Sequence, residues 1–209
     1  WLPGLLIALA LVIGTTILFR VTDLDLRLQD FFYRADNPGQ PWFLRDVFPW
    51  RQLYLYGPWP SILVTIGAGI VIFLGFLVDR FQQYRIHGIF LVLAMALGPG
   101  LMVNTIFKDH WGRPRPSQIA QFGGKWDYSP VLAKGQSGRG KAFPCGHSSA
   151  GYYLTAFYFL YRRRRQLFAF LCLAAALAYG TLIGIARMAA GAHFASDVLW
   201  SLYLTFLPG

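Results

Sequence analysis

Long apolar segments separated by short polar connections constrain this chain more than any other feature. Of its 209 residues 56% are hydrophobic, and they are gathered into blocks instead of recurring at the spacing of a soluble core. Since about 20 apolar residues in a helix cross the hydrocarbon layer of a bilayer, this arrangement predicts an integral membrane protein. We expect an all-α fold, a single membrane domain over residues 1–209 that forms a six-transmembrane-helix bundle with interfacial helices in its outward loops. The predicted spans are 1–19, 61–78, 88–107, 147–161, 166–186 and 194–207.

Two of the predicted spans, 147–161 and 194–207, are short for a full crossing. We expect polar mouths that lie below the membrane surface to complete them. The first block lacks a small-residue cleavage site, so we interpret it as a span and not as a signal peptide.

Arginines in two short connections orient the predicted bundle. Segments 79–85 and 162–165 hold six of them, and short basic loops lie on the cytoplasmic side of membranes. The outward loops are then 20–60, 108–146 and a tight turn near 187–193. We expect a multi-pass protein of the bacterial inner membrane whose functional face is periplasmic.

The distribution of positive charge argues against nucleic acid as a partner. The formal net charge is +10, of which the cytoplasmic connections carry +5 and the loop from Lys108 to Lys141 another +5. Because cations in an outward loop run against the orientation rule, we infer an anionic ligand there. Nothing in the sequence identifies a protein partner.

Segment 20–60 is interpreted as packing at the membrane surface. It is neutral, with five Arg against five Asp. In "DLDLRLQDFFYR" the apolar residues recur at helical spacing opposite charged ones, which is typical of a helix lying in the interface with membrane lipids. A gate for a lipid substrate is the alternative interpretation. The apolar residues are Leu24, Leu28, Phe31 and Phe32.

Three polar stretches meet the outward membrane surface at the ends of predicted spans. "KDHWGRPRP" (108–116) ends the third span, "PCGHSS" (144–149) opens the fourth, and "RMAAGAHFASD" (187–197) joins the fifth to the sixth. Charged groups so close to hydrocarbon are costly and are usually functional. We therefore expect the three stretches to form one site.

Spacing indicates roles within the last stretch. On a helix that begins near His193, Asp197 shares its face, so the carboxylate can accept one ring N–H and leave the other nitrogen free as a base or nucleophile. Arg187 precedes a "MAAGA" turn that is small enough to fold it over the same site.

Fixed cations and a helix N-terminus complete the predicted anion site. Gly146 and His147 open a predicted helix, whose N-terminal N–H groups favour anions. Guanidinium groups suit the tetrahedral oxygens of phosphate, and two imidazoles around one anion indicate a nucleophile and an acid. The cations are Lys108, Arg113, Arg115 and Arg187.

These stretches resemble the signature of the type 2 phosphatidic acid phosphatase family, which shares its pocket with vanadium haloperoxidases. The family pattern is Lys, six residues, Arg-Pro; then Pro-Ser-Gly-His; then Ser-Arg, five residues, His, three residues, Asp. The resemblance covers about half of the chain, from the third span onward. This chain has Lys108 to Arg115-Pro116, then Pro144-Cys145-Gly146-His147, then Ala186-Arg187 to His193 and Asp197.

The resemblance implies a metal-independent phosphatase with no cofactor. His193 would attack phosphorus and form a phosphohistidine, Asp197 would orient it, and His147 would protonate the leaving alkoxide. The implied substrate is a lipid phosphate: lipid A, undecaprenyl pyrophosphate, phosphatidylglycerophosphate or phosphatidic acid. The implied phosphate ligands are Lys108, Arg115, Arg187, Cys145 and Gly146.

Two family serines are replaced, by Cys145 and Ala186. A thiol is a weaker donor than a hydroxyl, so we expect some loss of phosphate contact at Cys145. A thiol phosphatase is disfavoured, because those enzymes need an Arg six positions after the Cys and Gly151 stands there. Neither replacement removes the nucleophile, the acid or a cation.

Other assignments stay open beside this one. His110, Trp111 and Arg113 are either contacts to a substrate headgroup or purely structural. Rival functions are a lipid-to-lipid phosphotransferase, a haloperoxidase-like oxidant, and a non-catalytic phospholipid-binding or carrier protein. A zinc site is disfavoured because nearby permanent cations repel a divalent metal. Its ligands would be His110, His147, His193 and Asp197.

Overall fold

Helices joined by turns and loops make up the chain in the computed structural model, which describes residues 2–136, 138 and 140–206. No β-sheet forms within these residues, so the predicted all-α fold is confirmed. α6 continues as a π-helix over Ala96–Lys108, and short 3-10 helices cover Pro116–Gln118 and Ala120–Phe122. The α-helices are α1 (Leu2–Val21), α2 (Leu24–Asp30), α3 (Trp50–Tyr56), α4 (Trp59–Leu77), α5 (Asp79–Gln82), α6 (Arg85–Met95), α7 (Gly146–Tyr153), α8 (Ala156–Tyr161), α9 (Gln166–Ala189) and α10 (Ala195–Phe206).

Three helical segments of the described chain are long and apolar enough to cross a membrane. They are Trp50–Leu77, Arg85–Lys108 and Gln166–Ala189; a fourth is counted only if Leu6–Val21 and Leu24–Asp30, which meet at 72°, form one span. The predicted count of six is therefore not confirmed. The predicted fourth span is divided into α7 and α8, and α10 has only 12 residues, fewer than the roughly 20 that a full crossing needs.

Apolar side chains cover the outside of the long helices. Phe73 on α4 is 63% exposed and Leu171 on α9 is 60% exposed. Such large apolar groups, left uncovered along whole helices, require lipid around them. The chain is a multi-pass helical membrane protein.

The π-helix that continues α6 contains Pro99, which explains why the helix widens there. Proline has no N–H to donate to the preceding turn, so the regular α-helical ladder is interrupted there. The side-chain amide of Asn104 donates to the carbonyl of Pro99 at 2.7 Å. The helix nevertheless runs on from Arg85 to Lys108, which places Lys108 at the end of the bundle that holds the long loops.

The short helix α2 lies with its polar side inward. Asp25 and Gln29 are fully buried, whereas Leu28 is 39% exposed and Phe31 is 72% exposed. The sequence predicted a helix lying on the membrane surface, and it did not identify this buried polar face. Phe32 joins a buried cluster with residues of the C-terminal half, so segment 20–60 is packed against the loops that carry the polar stretches.

Candidate active site

A Schellman motif ends α9 and turns the chain back toward Arg187. Gly191 has φ +63°; its N–H donates at 2.8 Å to a carbonyl of the last helical turn, and the N–H of Ala192 donates to the carbonyl of Arg187 at 3.0 Å. This motif needs a left-handed residue, and a Cβ at position 191 would collide with the ring of Trp42. The turn therefore places His193 at the same end of the bundle as Arg187.

The ring of His193 is held by a backbone carbonyl. Its Nδ1–H donates to the oxygen of Ala142 at 2.5 Å, and the residue is 1% exposed. Because a carbonyl only accepts, the proton stays on Nδ1 and Nε2 keeps its lone pair. Burial lowers the pKa of His193 well below its ordinary value, and the charge of Arg187 lowers it further. The ring is thus neutral at neutral pH, the form in which Nε2 is a nucleophile or a base.

Asp197 does not accept the ring N–H of His193 that its spacing predicted. Its Oδ2 lies 3.9 Å from Nδ1 and accepts the N–H of Phe194 at 2.7 Å. Its Oδ1 accepts from Nη1 of Arg113 at 2.5 Å. The prediction assumed a helix that begins near His193, but α10 begins at Ala195, so His193 lies in the preceding turn. Asp197 instead fixes the backbone that carries His193.

Arg113 is the centre of a buried ion-pair network. It is 0% exposed and contacts Asp197 through Nη1 and Asp25 through Nη2, at 2.5 and 2.8 Å. Its Nε donates to the carbonyl of Ser129 at 2.9 Å. Burial alone would lower the pKa of Arg113, but the two carboxylates outweigh it and raise the pKa. The guanidinium donors all face protein groups, which favours the structural alternative for Arg113 over a headgroup contact.

Asp25, the second carboxylate of this network, was not identified from the sequence. It accepts the N–H of Ser196 at 2.9 Å and the hydroxyl of Ser196 at 2.6 Å, and the phenol of Tyr128 donates to it at 3.1 Å. Four residues on, the side-chain amide of Gln29 donates to the carbonyl of Met188 at 2.7 Å. The i, i+4 spacing of two polar residues was the available signal, but the apolar residues beside them favoured a membrane-facing helix.

Lys108 reaches over the first turn of α7. Its Nζ lies 3.4 Å from Oδ1 of Asn104, and a Cβ added to Gly146 would stand 2.9 Å from that Nζ. Glycine at position 146 therefore leaves room for the ammonium group. The N–H groups of residues 146–148 have no acceptor within the helix and favour an anion. The Lys108 ammonium group and the first N–H groups of α7 thus face the same space.

Cys145 is fully buried beneath this turn. Its backbone N–H donates to the carbonyl of Asp197 at 3.2 Å and is therefore already hydrogen-bonded within the protein. Ser201 donates to the carbonyls of both Cys145 and Asp197 at 2.8 Å, which ties α7 to α10. Burial raises the pKa of the thiol, which keeps it protonated and unreactive. A phosphate contact through the thiol itself stays a prediction. Ala186, at the position of the other replaced serine, is buried with 1% exposure.

Arg187 is buried but not fully hydrogen-bonded. It is 5% exposed, and within the described residues its Nε has no hydrogen-bond partner. Its guanidinium carbon lies 4.0 Å from the centre of the Tyr54 ring, and that ring lies 6.1 Å from the ring of His147. Tyr54 had no motif spacing that could reveal it, because the contact joins α3 to α9 across the fold. A buried N–H without an acceptor is what an anion-binding group shows before its ligand arrives.

Arg115 is brought to the same region by the backbone around it. The N–H of Ser117 donates to the carbonyl of Gly191 at 3.0 Å, which fixes this stretch against the turn before His193. Lys108, Arg115 and Arg187 all act electrostatically on both imidazoles, those of His147 and His193. The structure thus brings the three polar stretches together.

His110 and Trp111 are the other two residues predicted as possible headgroup contacts. His110 is exposed, and the ring of Trp111 packs against Phe143 with centroids 5.2 Å apart. Their headgroup contacts stay predictions. Among residues 2–136, 138 and 140–206, no group of three or more His, Cys, Asp or Glu is arranged to hold a metal ion.

A bound tetrahedral anion would find cations, free helix N–H groups and a neutral imidazole in this arrangement, which are the components of phosphoryl transfer. Residues 86–208, more than half of the chain, match the family model described as the PAP2 superfamily. This chain belongs to that superfamily. Its three polar stretches lie inside the PAP2 region, whereas Asp25, Gln29 and Tyr54 precede it.

Proteins similar to this chain include two lipid A 4'-phosphatases. The chain is 42% identical to that of Francisella tularensis subsp. novicida (strain U112) over 126 residues, 59% of this chain and 55% of that protein. It is 28% identical to that of Rhizobium leguminosarum over 163 residues, 73% of this chain and 68% of that protein. The chain thus spans about half the length of the Francisella relative.

A solved structure also aligns with this PAP2 protein. It is the transmembrane PAP2 type phosphatidylglycerolphosphate phosphatase from Bacillus subtilis, with 21% identity, coverage of 88% of this chain and 89% of that chain, and a TM-score of 0.41.

Proposed function

We propose that this PAP2 protein is a membrane lipid phosphatase that hydrolyses a phosphomonoester or pyrophosphate through a phosphohistidine at His193. The main support is one hydrogen bond, from Nδ1–H of His193 to Ala142, because it leaves the nucleophilic Nε2 free. The Nε of Arg187, which has no hydrogen-bond partner among the described residues, supports an anion at the same place.

The first half-reaction transfers the phosphoryl group to the protein. Nε2 of His193 forms the N–P bond while the P–O bond to the lipid breaks, and the departing oxygen takes a proton from the His147 imidazolium. Lys108, Arg115 and Arg187 stabilise the charge on the phosphoryl oxygens. A bound substrate anion favours the imidazolium form of His147, so substrate binding and acid function are coupled.

The second half-reaction returns the protein to its starting state. Neutral His147 takes a proton from water, the water oxygen attacks phosphorus, and the N–P bond breaks. Inorganic phosphate leaves, and Nε2 of His193 regains its lone pair. Because Nδ1–H stays on the carbonyl of Ala142, the ring keeps one tautomer between turnovers.

We take lipid A as the first substrate to test. Both relatives described above are lipid A 4'-phosphatases, and the loop from Lys108 to Lys141 carries a +5 charge that suits a headgroup with several anionic groups. Undecaprenyl pyrophosphate, phosphatidylglycerophosphate and phosphatidic acid are the competing lipids.

The membrane arrangement that goes with this function has six crossings. α1, α4, α6 with its π-helical extension, α7 with α8, α9 and α10 each cross once, and the site lies at the periplasmic face of a bacterial inner membrane. The six arginines of segments 79–85 and 162–165 then lie in the cytoplasm. Cysteine accessibility at positions 81 and 138 in intact cells tests this orientation.

The decisive assay measures inorganic phosphate release by purified protein from the four lipids, with a chelator present. We expect release from at least one lipid, with lipid A the most rapidly cleaved. If labelled phosphate moves to a second lipid instead of to water, the protein is a phosphotransferase. If no lipid releases or transfers phosphate, the phosphatase proposal is wrong.

A further inference from the structure

A cavity opens at the opposite end of the bundle from the candidate active site. It has a volume of about 650 Å³ and lies between α4, α6 and α8. Its walls are apolar, with Ala68, Leu91 and Leu160 among them, and His87, Arg163 and Arg164 stand among its polar lining groups. An apolar groove that ends in fixed cations matches the shape of an anionic lipid.

The distance along one helix separates this cavity from the candidate active site. His87 and Lys108 lie on the continuous helix Arg85–Lys108, 21 residues apart. At the α-helical rise of 1.5 Å per residue they would be roughly 30 Å apart, and the π-helical turns shorten this only in part, so the separation is close to the thickness of the hydrocarbon layer. The cavity therefore opens toward the opposite membrane surface and is separate from the candidate active site.

Positive charge at this mouth is not neutralised by the protein. Within the described residues, the ion pairs join Arg113, Lys141 and His193 to carboxylates, and none involves Arg163 or Arg164. Both arginines are exposed. Basic cavities between transmembrane helices bind the headgroups of anionic lipids.

We propose that this cavity binds an anionic glycerophospholipid of the adjacent leaflet. The lipid phosphate lies against Arg163 and Arg164, with His87 beside it, and one acyl chain fills the groove between α4 and α8. The bound lipid joins α8, a helix of only six residues, to the longer helices α4 and α6. It is a structural ligand and is not turned over, because the buried His193 and the cations Lys108, Arg115 and Arg187 lie at the other end of the bundle.

The test is thermal unfolding of the full chain in detergent with added lipid. The two charge-matched double variants are R163Q/R164Q, which changes the mouth, and R80Q/R165Q, which removes two arginines from the same end outside the cavity lining. Phosphatidylglycerol should stabilise wild type and R80Q/R165Q alike. R163Q/R164Q should need about tenfold or more lipid for the same shift.

Three comparisons decide the outcome. Equal stabilisation of both double variants would overturn the proposal, and so would equal stabilisation by phosphatidylcholine. Glycerol phosphate, which has the headgroup without acyl chains, should not reproduce the shift; if it does, the groove is not an acyl site. Should R163Q/R164Q fold poorly, native mass spectrometry of V71W, which adds a large ring at a half-buried position of the lining, should show loss of the retained phosphatidylglycerol, and unchanged retention would overturn the proposal.

Discussion

The carbonyl oxygen of Ala142 accepts the Nδ1–H of His193 at 2.5 Å. Ala142 lies just before the stretch "PCGHSS", and its own N–H donates to the carbonyl of Arg113 at 3.0 Å. The loop that leads into α7 is thus fixed at one side by Arg113 and fixes His193 at the other. A backbone carbonyl therefore sets the tautomer of the proposed nucleophile. Asp197 acts only indirectly, through its hydrogen bond to the N–H of Phe194.

The first prediction concerns the charge of His193. Because burial and Arg187 lower its pKa, the ring should remain neutral at pH 6.5, the ordinary pKa of histidine, and should take up a proton only at lower pH. The unfolded chain binds that proton first, so this histidine should reduce stability as pH falls below 6.5. 15N NMR of histidine-labelled protein, with H193Q to assign the resonance, should show a neutral ring with Nδ1–H. A half-protonated ring at pH 6.5 would contradict the assignment.

The second prediction concerns the buried carboxylate of Asp25. Asp25→Ala leaves Asp197 as the counter-charge of Arg113 but removes the acceptor of buried donors on Arg113 and Ser196, and each buried donor without an acceptor costs about 1–3 kcal/mol. Thermal unfolding in detergent measures this loss. Asp30→Ala is the matched control, since Asp30 lies on the same helix and is exposed. Equal melting temperatures of the two variants would show that the network does not support the fold.

The helices and the convergence of the polar stretches were predictable, while this network was not. Apolar blocks specify helices through their length alone, and charged residues at the ends of several spans must share a membrane surface. Asp25 has no such constraint, because the pattern of α2 is the same whether its polar or its apolar face is turned inward. Only packing against Arg113 and Ser196 decides it.

The relation between His193 and Asp197 shows the same limit. A spacing of four residues predicts a shared face only if both residues are helical. The Schellman motif at the end of α9 uses residues up to Ala192, and α10 begins at Ala195. His193 therefore lies between the two helices, and its ring is turned to a carbonyl that is distant in sequence.

The third prediction concerns the ring of Tyr54 over Arg187. A desolvated cation–π contact contributes about 1–2 kcal/mol, so Tyr54→Leu should lower kcat/KM for the lipid substrate by roughly tenfold. Tyr54→Phe keeps the ring and should stay within about twofold of wild type. Tyr56→Leu changes an exposed residue of the same helix and serves as the control. A similar loss in Tyr54→Leu and Tyr56→Leu would remove Tyr54 from the site.

The fourth prediction concerns glycine at position 146. A Cβ there would stand 2.7 Å from Oδ1 of Asn104 and 2.9 Å from Nζ of Lys108. Gly146→Ala should displace the ammonium group and weaken inhibition by vanadate, an analogue of the transferred phosphoryl group, by about tenfold. Gly69→Ala, where an added Cβ meets nothing within 4 Å, should leave inhibition unchanged. Normal vanadate affinity in Gly146→Ala would show that anion binding does not depend on the position that the Lys108 ammonium group has in this structure.

The measurement that tests the central claim most directly is phosphate release by His193→Gln from the lipid that wild type cleaves fastest. We predict that the rate falls by roughly 10⁴-fold or more, as expected when a covalent nucleophile is removed, while the melting temperature changes little. His87→Gln, which alters an exposed histidine at the opposite end of the bundle, should keep the wild-type rate. A His193→Gln protein that retains more than about a tenth of wild-type activity would contradict the assignment of His193 as the group that attacks phosphorus.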